Sequence, residues 1–163
     1  MAELTVLDAK IAEVLGLAQA AQGAIDKVSK LVEDDALRSQ LEQVKQEAVE
    51  TEERTTQLVE DLDGKKTAVL EKARETKQEA TEMMSTYLGD DADGLDGFEF
   101  LTMAEAAEVG HWQIVGKLNE RARNSELQQI VEWVTPIQER HFQQALEGSL
   151  QLAAEEDPNE VEG

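Results

Sequence analysis

Apolar residues recur every three or four positions along most of the chain, which is the spacing of one face of an α-helix. In the first part of the chain the positions of this face are Leu4, Leu7, Ile11, Val14, Ala18, Ala21, Ile25, Val28 and Val32, then Leu37, Leu41, Val44, Ala48, Thr51, Thr55, Leu58 and Leu62, with small or polar residues at 48, 51 and 55. Asp34 or Asp35 separates the two runs as an N-cap residue, and Gly64 follows the second run as a helix stop. Residues 4–62 are therefore predicted to form a hairpin of two long helices.

A third stretch, residues 65–88, has only a partial apolar face, because polar residues interrupt it at positions 76–78. This pattern predicts a more exposed helix that crosses along the outside of the bundle. The Gly- and Asp-rich residues 89–94 that follow are typical of a loop.

The last part of the chain repeats the helical spacing in two further runs. The predicted buried face consists of Phe100, Ala104, Ala107, His111, Ile114 and Leu118, then Leu127, Ile130, Val134, Ile137, His141, Ala145, Gly148 and Leu152. Asp96 is the predicted N-cap of the first run, and Pro136 is expected to kink the second helix. Residues 96–153 are therefore predicted to form a second hairpin, followed by an acidic, disordered tail at 155–163.

The two predicted hairpins align without a gap at an offset of 86 residues, the separation of Leu41 from Leu127. At this offset the string Ala18 to Gln22 matches Ala104 to Glu108. Generic helix composition could produce such a match, but several strings at one offset favour a true repeat. Neither hairpin can bury its apolar face alone, so we predict an all-α domain, residues 1–154, in which they pack as a four-helix bundle.

Composition narrows the functional classes. The chain has 163 residues, 40% of them hydrophobic, which suits a single domain. Its 36 acidic and 15 basic residues give a formal charge of -21, which argues against nucleic-acid and anionic-membrane partners. The acidity indicates either a solvated surface or attraction of cations. Without cysteine, the chain has no thiolate metal ligand and no cysteine nucleophile.

The start of the chain, Met-Ala-Glu-Leu-Thr-Val, lacks the basic and apolar regions of a signal peptide. The chain also has no apolar run of about 18 residues, the length that crosses a bilayer. We therefore expect a cytoplasmic location.

Both histidines fall on predicted buried positions, each three residues after a polar side chain. Glu108 precedes His111 and Gln138 precedes His141, and residues three apart share a helix face. Counted outward along both helices from the turn near Asn124, Glu108 and His141 are at similar distances from the turn and should lie opposite each other. The four side chains are therefore predicted to meet inside the second hairpin. A hydrogen-bonded polar layer, a metal site and a general acid/base pair would each satisfy a buried carboxylate.

Two hairpins, a long crossover and inward-facing Glu and Glu-x-x-His groups are the pattern of ferritin-like proteins. The chain resembles that superfamily, and within it the bacterial YciE-like ferritin-like proteins. The string Gly64-Lys65-Lys66-Thr67 after the second helix resembles that family, as do Glu50-Thr51-Glu52 and Leu58.

The resemblance implies a di-metal site. Glu52, Glu108 and His141 match the family pattern, whereas Gln22, Thr55 and Gln138 stand where it has Glu or His. We take Glu52, Glu108, His111, Gln138 and His141 as the candidate metal ligands, with Glu47 and Glu50 as substitutes on nearby faces.

This incomplete set predicts that iron or another divalent metal is held weakly. The resemblance implies a metal-binding protein of the stress or storage type. Two alternatives remain: a non-catalytic structural or interaction bundle that has lost the metal site, and a di-iron oxidase. The oxidase would need a further carboxylate from the first helix. The aromatic residues, all from Tyr87 onward, and the crossover helix suggest a homodimer.

Overall fold

The computed structural model describes residues 2–162, which form five α-helices and no strand. The helices are α1 (Val6–Ser29), α2 (Asp35–Glu60), α3 (Lys66–Tyr87), α4 (Gly94–Ala122) and α5 (Ser125–Ala154). The predicted all-α class is thus confirmed, and α3 coincides with the predicted crossover helix. Met1 and Gly163, which belong to the predicted domain and tail, lie outside the described residues.

The helices begin at side chains that cap exposed backbone N–H groups. Thr5 and Asp8 form a capping box at α1, with hydrogen bonds of 3.1 and 2.9 Å between side chain and backbone. Asp34 caps α2, as predicted. The predicted N-cap of α4 was wrong, because Asp93 caps this helix and Asp96 is the other member of its capping box.

Four helices contact one another in a closed ring, and the fifth lies outside it. Helix α1 contacts α2 and α4, while α5 contacts α4 and α2. Helix α3 packs mainly on α1. A Cβ atom at Gly16 of α1 would lie 2.4 Å from the carbonyl oxygen of Ala73, so the glycine permits the close approach of the two backbones. Within α3 only Ala68, Val69 and Ala73 are buried, which agrees with an exposed crossover.

The interior contains two apolar clusters, one toward each end of the ring. The first includes Ile11, Leu15, Trp112 and Val134. The second includes Ile25, Val28, Leu41, Phe98 and Ala145. On each of the four ring helices, the sequence between the two clusters carries buried or half-buried polar side chains. This middle layer holds the candidate site.

The predicted buried face was correct for α2. It was also correct for α5, except that Gln138 is buried in place of Ile137, but it was displaced by one residue in α4. The first turns of this helix bury Gly97, Phe98 and the predicted Phe100, and the buried positions from there on are Leu101, Glu105, Glu108, Trp112, Val115 and Asn119. One residue corresponds to about 100° of rotation. The rotation buries Trp112, whose large apolar surface outweighs that of Ile114, which is 45% exposed. It also turns Glu105 inward and leaves Ala107 at the surface.

Two contacts between α2 and α5 involve residues related by the offset of the predicted repeat. The guanidinium of Arg54 on α2 lies 4.1 Å from the ring centre of Trp133 on α5. Reciprocally, Arg140 on α5 binds the carboxylate of Glu47 on α2. At the offset of 86 residues Arg54 corresponds to Arg140, and Glu47 to Trp133. Such exchanged contacts are what a pseudo-twofold arrangement of the two hairpins produces.

Candidate functional site

The middle layer contains most of the buried polar side chains of residues 2–162. It includes Thr51, Thr55, Glu105, Glu108, Gln138 and His141, each no more than 3% exposed. Both threonines donate hydrogen bonds to carbonyl oxygens of their own helix, at 2.8 Å for Thr51 and 2.7 Å for Thr55. They therefore need no partner from another helix. The remaining four side chains are the ones whose chemistry depends on their neighbours.

His141 is the centre of this layer, because it lies between carboxylates of two other helices. Its Nε2 atom is 3.1 Å from Oε1 of Glu47, a hydrogen bond to α2. Its Nδ1 atom is 3.7 Å from Oε2 of Glu105 on α4, which is too long for a hydrogen bond. Arg140 also binds Glu47, so one carboxylate of α2 anchors two neighbouring side chains of α5.

Several buried polar atoms of this layer lack a hydrogen-bond partner in the described part of the chain. They are Oε2 of Glu105, Nδ1 of His141, Oε1 of Gln138 and Nε of Arg140. Folded proteins satisfy most buried polar atoms, and exceptions call for an explanation. Glu105 and His141 face each other, so a single additional group between them would satisfy both atoms.

Glu108 lies one helical turn from Glu105, and the two buried carboxyl groups are close enough to hydrogen-bond to each other. Burial raises the pKa of its carboxyl well above the usual range, and the nearby Glu105 carboxylate raises it further. Both effects favour the protonated, neutral form. Glu108 also lines an apolar groove between α1, α3 and α4.

The five predicted ligands do not all meet at one place. Gln138 and His141 are buried in the layer, but Glu105, and not the predicted Glu108, lies beside His141. The prediction that Glu108 lies opposite His141 was therefore wrong by one helical turn, because Glu105 occupies that position.

The other two predicted ligands have partners of their own. His111 is 34% exposed, donates from Nδ1 to the carbonyl of Ala107 at 2.8 Å, and places Nε2 3.6 Å from Glu13. Glu52 is half-buried and accepts a hydrogen bond of 2.9 Å from Gln22.

Sequence reasoning missed Glu105 and Arg140, and treated Glu47 only as a substitute. The signal for Glu105 was present, since positions 105, 108, 112, 115 and 119 have the same helical spacing as the predicted face. Choosing the face that buries Trp112 would have selected Glu105 as well. Nothing in the sequence pattern indicated that Glu47 would reach across from α2 to α5.

The donor set does not fit a di-metal centre. Within residues 2–162, no group of three or more His, Cys, Asp or Glu side chains is arranged to hold a metal ion. Gln22 and Thr55 stand where such a centre would need carboxylate and imidazole ligands. Glu105 and His141 are two potential donors, and the 3.7 Å between Oε2 of Glu105 and Nδ1 of His141 is a distance that one atom about 2.1 Å from each could span.

Comparisons of the chain with protein-family models, with curated proteins and with solved structures found no match. Across residues 2–162, no helix combines the length and the apolar character needed to cross a membrane.

Proposed function

We propose that this chain is a ferritin-like four-helix bundle that binds a single divalent metal ion, with iron as the first candidate, in a non-catalytic stress or storage role. The observation that supports it is the facing pair of unpartnered, buried donor atoms, Nδ1 of His141 and Oε2 of Glu105. The middle layer of a helical bundle is also where ferritin-like proteins carry their metals.

The surroundings of His141 suit a metal-binding imidazole. Glu47 accepts a hydrogen bond from Nε2, which leaves the lone pair of Nδ1 directed toward Glu105. A carboxylate behind a histidine in this way fixes the ring and makes it a better ligand. Gln138 adds an unpartnered carbonyl oxygen one turn before His141 on the same face of α5. With a single carboxylate as direct ligand, binding is expected to be weak.

A thermal melt of chelator-treated protein, with and without ferrous, manganous or zinc ions under anaerobic conditions, tests the proposal. At a metal concentration 100 times the dissociation constant, binding stabilises the folded state by about 2.7 kcal/mol. For a chain of this size, that raises the melting temperature by roughly 5–11 °C.

Two variants show whether a metal-dependent rise in melting temperature comes from the proposed site. Glu105→Gln keeps the shape of the side chain but removes its charge, so it should abolish the metal-dependent rise. His111→Gln is the matched control, since it removes the other histidine, which is partly exposed, and should leave the rise unchanged. A rise that survives Glu105→Gln, or one that depends on His111, would refute the assignment.

A purely structural polar layer is the second candidate, and one contact favours it. Glu47 binds both Arg140 and His141, so these charges already compensate one another without a metal. On this interpretation no metal changes the melt, and Glu105→Gln alters stability by the same amount with or without chelator. The di-iron oxidase has no supporting observation, because α1 carries Gln22, not a carboxylate, in this layer.

A further inference from the structure

A narrow cavity leads from the protein surface to the two donor atoms of the proposed metal position. It has a volume of about 10 Å³ and lies between α2, α4 and α5. Glu105 and His141 line its inner end, and each is no more than 3% exposed. Gln40 of α2, which is exposed, and Gln144 of α5, which is half-buried, line its outer end. The cavity therefore joins the unpartnered atoms of the middle layer to the surface.

The walls between these two ends are apolar. They include Leu41 and Val44 of α2 and Leu101 of α4, each no more than 5% exposed. Such walls offer an ion no ligand, and a volume of about 10 Å³ holds roughly one water molecule. An ion that still carries its full shell of waters would not fit. It must lose water at the outer end of the cavity, where the two glutamine side chains lie.

The outer end of the cavity lies where the ring of helices is least tightly joined. The contact between α2 and α5 is the least extensive of the four that close the ring. Hydrogen bonds join α2 to α5 on both sides of the cavity, at Glu47 and at Asp34, but none in the described part of the chain holds the side chain of Gln40 or Gln144. These two side chains can therefore change rotamer without breaking a bond of the fold.

We propose that the metal ion enters and leaves through this cavity, and that the side chains of Gln40 and Gln144 form a gate that sets the rate of exchange. The inference rests on the proposed single-ion site between Glu105 and His141. The groove between α1, α3 and α4 offers no equivalent route, since neither of these two residues lines it. The gate is neutral, and its amide oxygens are acceptors that can replace waters as the ion loses them.

The position of the gate predicts a kinetic signature. Its side chains stand at the outer end of the cavity and not at the donor atoms, so they change the barrier to exchange and leave the bound state as it is. The rates of entry and release should therefore change by the same factor, and the dissociation constant, which is their ratio, should not change.

Zinc ion serves as the probe, because it has no redox chemistry and binds imidazole and carboxylate ligands. Zinc-loaded full-length protein is mixed in a stopped-flow instrument with excess chromophoric chelator, and the absorbance gives the rate of release. A rate that does not depend on chelator concentration reports release from the protein. Competition titration with the same chelator gives the dissociation constant, and the two values together give the rate of entry.

Four variants test the gate. Gln144→Trp and Gln40→Trp narrow the cavity from opposite sides, and each should slow entry and release by at least about tenfold, which corresponds to about 1.4 kcal/mol of added barrier. Gln144→Ala widens the cavity and should speed both rates. Gln143→Trp is the matched control, since this neighbouring glutamine is exposed and lies outside the lining, so both rates should stay native. Circular dichroism checks folding, and Gln144→Ala, a substitution that a helix favours, keeps the test valid if a tryptophan variant does not fold.

Three results would overturn the inference. Native rates in both tryptophan variants would place the route elsewhere and leave the metal site intact. Weaker binding by Gln144→Ala at an unchanged rate of entry would make Gln144 a ligand and not a gate. A native chain that binds no zinc would refute the proposed function and this inference with it, and the titration of the native chain separates that result from the other two.

Discussion

Replacing Gly16 by alanine tests the position of α3 on α1. A Cβ atom at this position would lie 2.4 Å from the carbonyl oxygen of Ala73 and 2.7 Å from Cβ of Thr76. Both atoms belong to the neighbouring helix close to its backbone, so α3 must shift. Such overpacking costs about 1–3 kcal/mol, against a gain of about 0.5–1 kcal/mol from replacing glycine within a helix.

Gly23→Ala is the matched control in the same helix. A Cβ atom there meets no other atom within 4 Å, so this variant should show only the helix-propensity gain. The free energies of unfolding of the two variants, measured by urea denaturation, should therefore differ by about 1–3 kcal/mol, or roughly 2–12 °C in melting temperature. Equal stabilisation by both substitutions would refute the close packing of α3 on α1.

Three further perturbations test the interior. Trp112→Ala should lower the free energy of unfolding, measured by urea denaturation, by about 3–5 kcal/mol, and Ile114→Ala should lower it by less than about 0.5 kcal/mol. A larger loss for Ile114→Ala than for Trp112→Ala would contradict the rotation of α4. His141→Ala removes a fully buried ring and its hydrogen bond to Glu47, and should cost about 2–5 kcal/mol, whereas Arg140→Ala, at a side chain that is 41% exposed, should cost less than about 1 kcal/mol; equal costs would contradict the burial of the layer. The raised pKa of Glu108 stabilises the fold at a pH below the carboxyl's unfolded pKa, and this contribution is lost as pH rises through the folded pKa. Glu108→Gln should therefore reduce the fall in unfolding free energy as pH rises above the ordinary pKa of glutamate, and an unchanged slope would show that Glu108 is not buried in this way.

Helix periodicity was enough to predict the elements and most of the interior. On α2 the predicted face from Leu37 to Leu58 is the buried one, because apolar residues recur there without a competing face. Helix α4 has two candidate faces one residue apart, each with mixed polarity, and the pattern alone does not choose between them. Packing against the other helices selects the face, because only one rotation of α4 buries Trp112.

The same rotation explains why the candidate site was only partly predictable. His141 and Gln138 lie on α5, whose buried face was predicted correctly except that Gln138 is buried in place of Ile137. The carboxylates beside His141 come from α4 and α2, and their choice depends on helix rotation and on contacts between helices that are distant in sequence. Single-helix patterns carry no information on such contacts.

The number of metal ions bound per chain tests the central proposal most directly. Chelator-stripped protein would be titrated anaerobically with ferrous ion in a calorimeter, beside the Glu105→Gln and His111→Gln variants. We predict one ion per chain for the native protein and for His111→Gln, and none for Glu105→Gln. Two ions per chain, or no ion bound by the native protein, would contradict a single-ion site between Glu105 and His141.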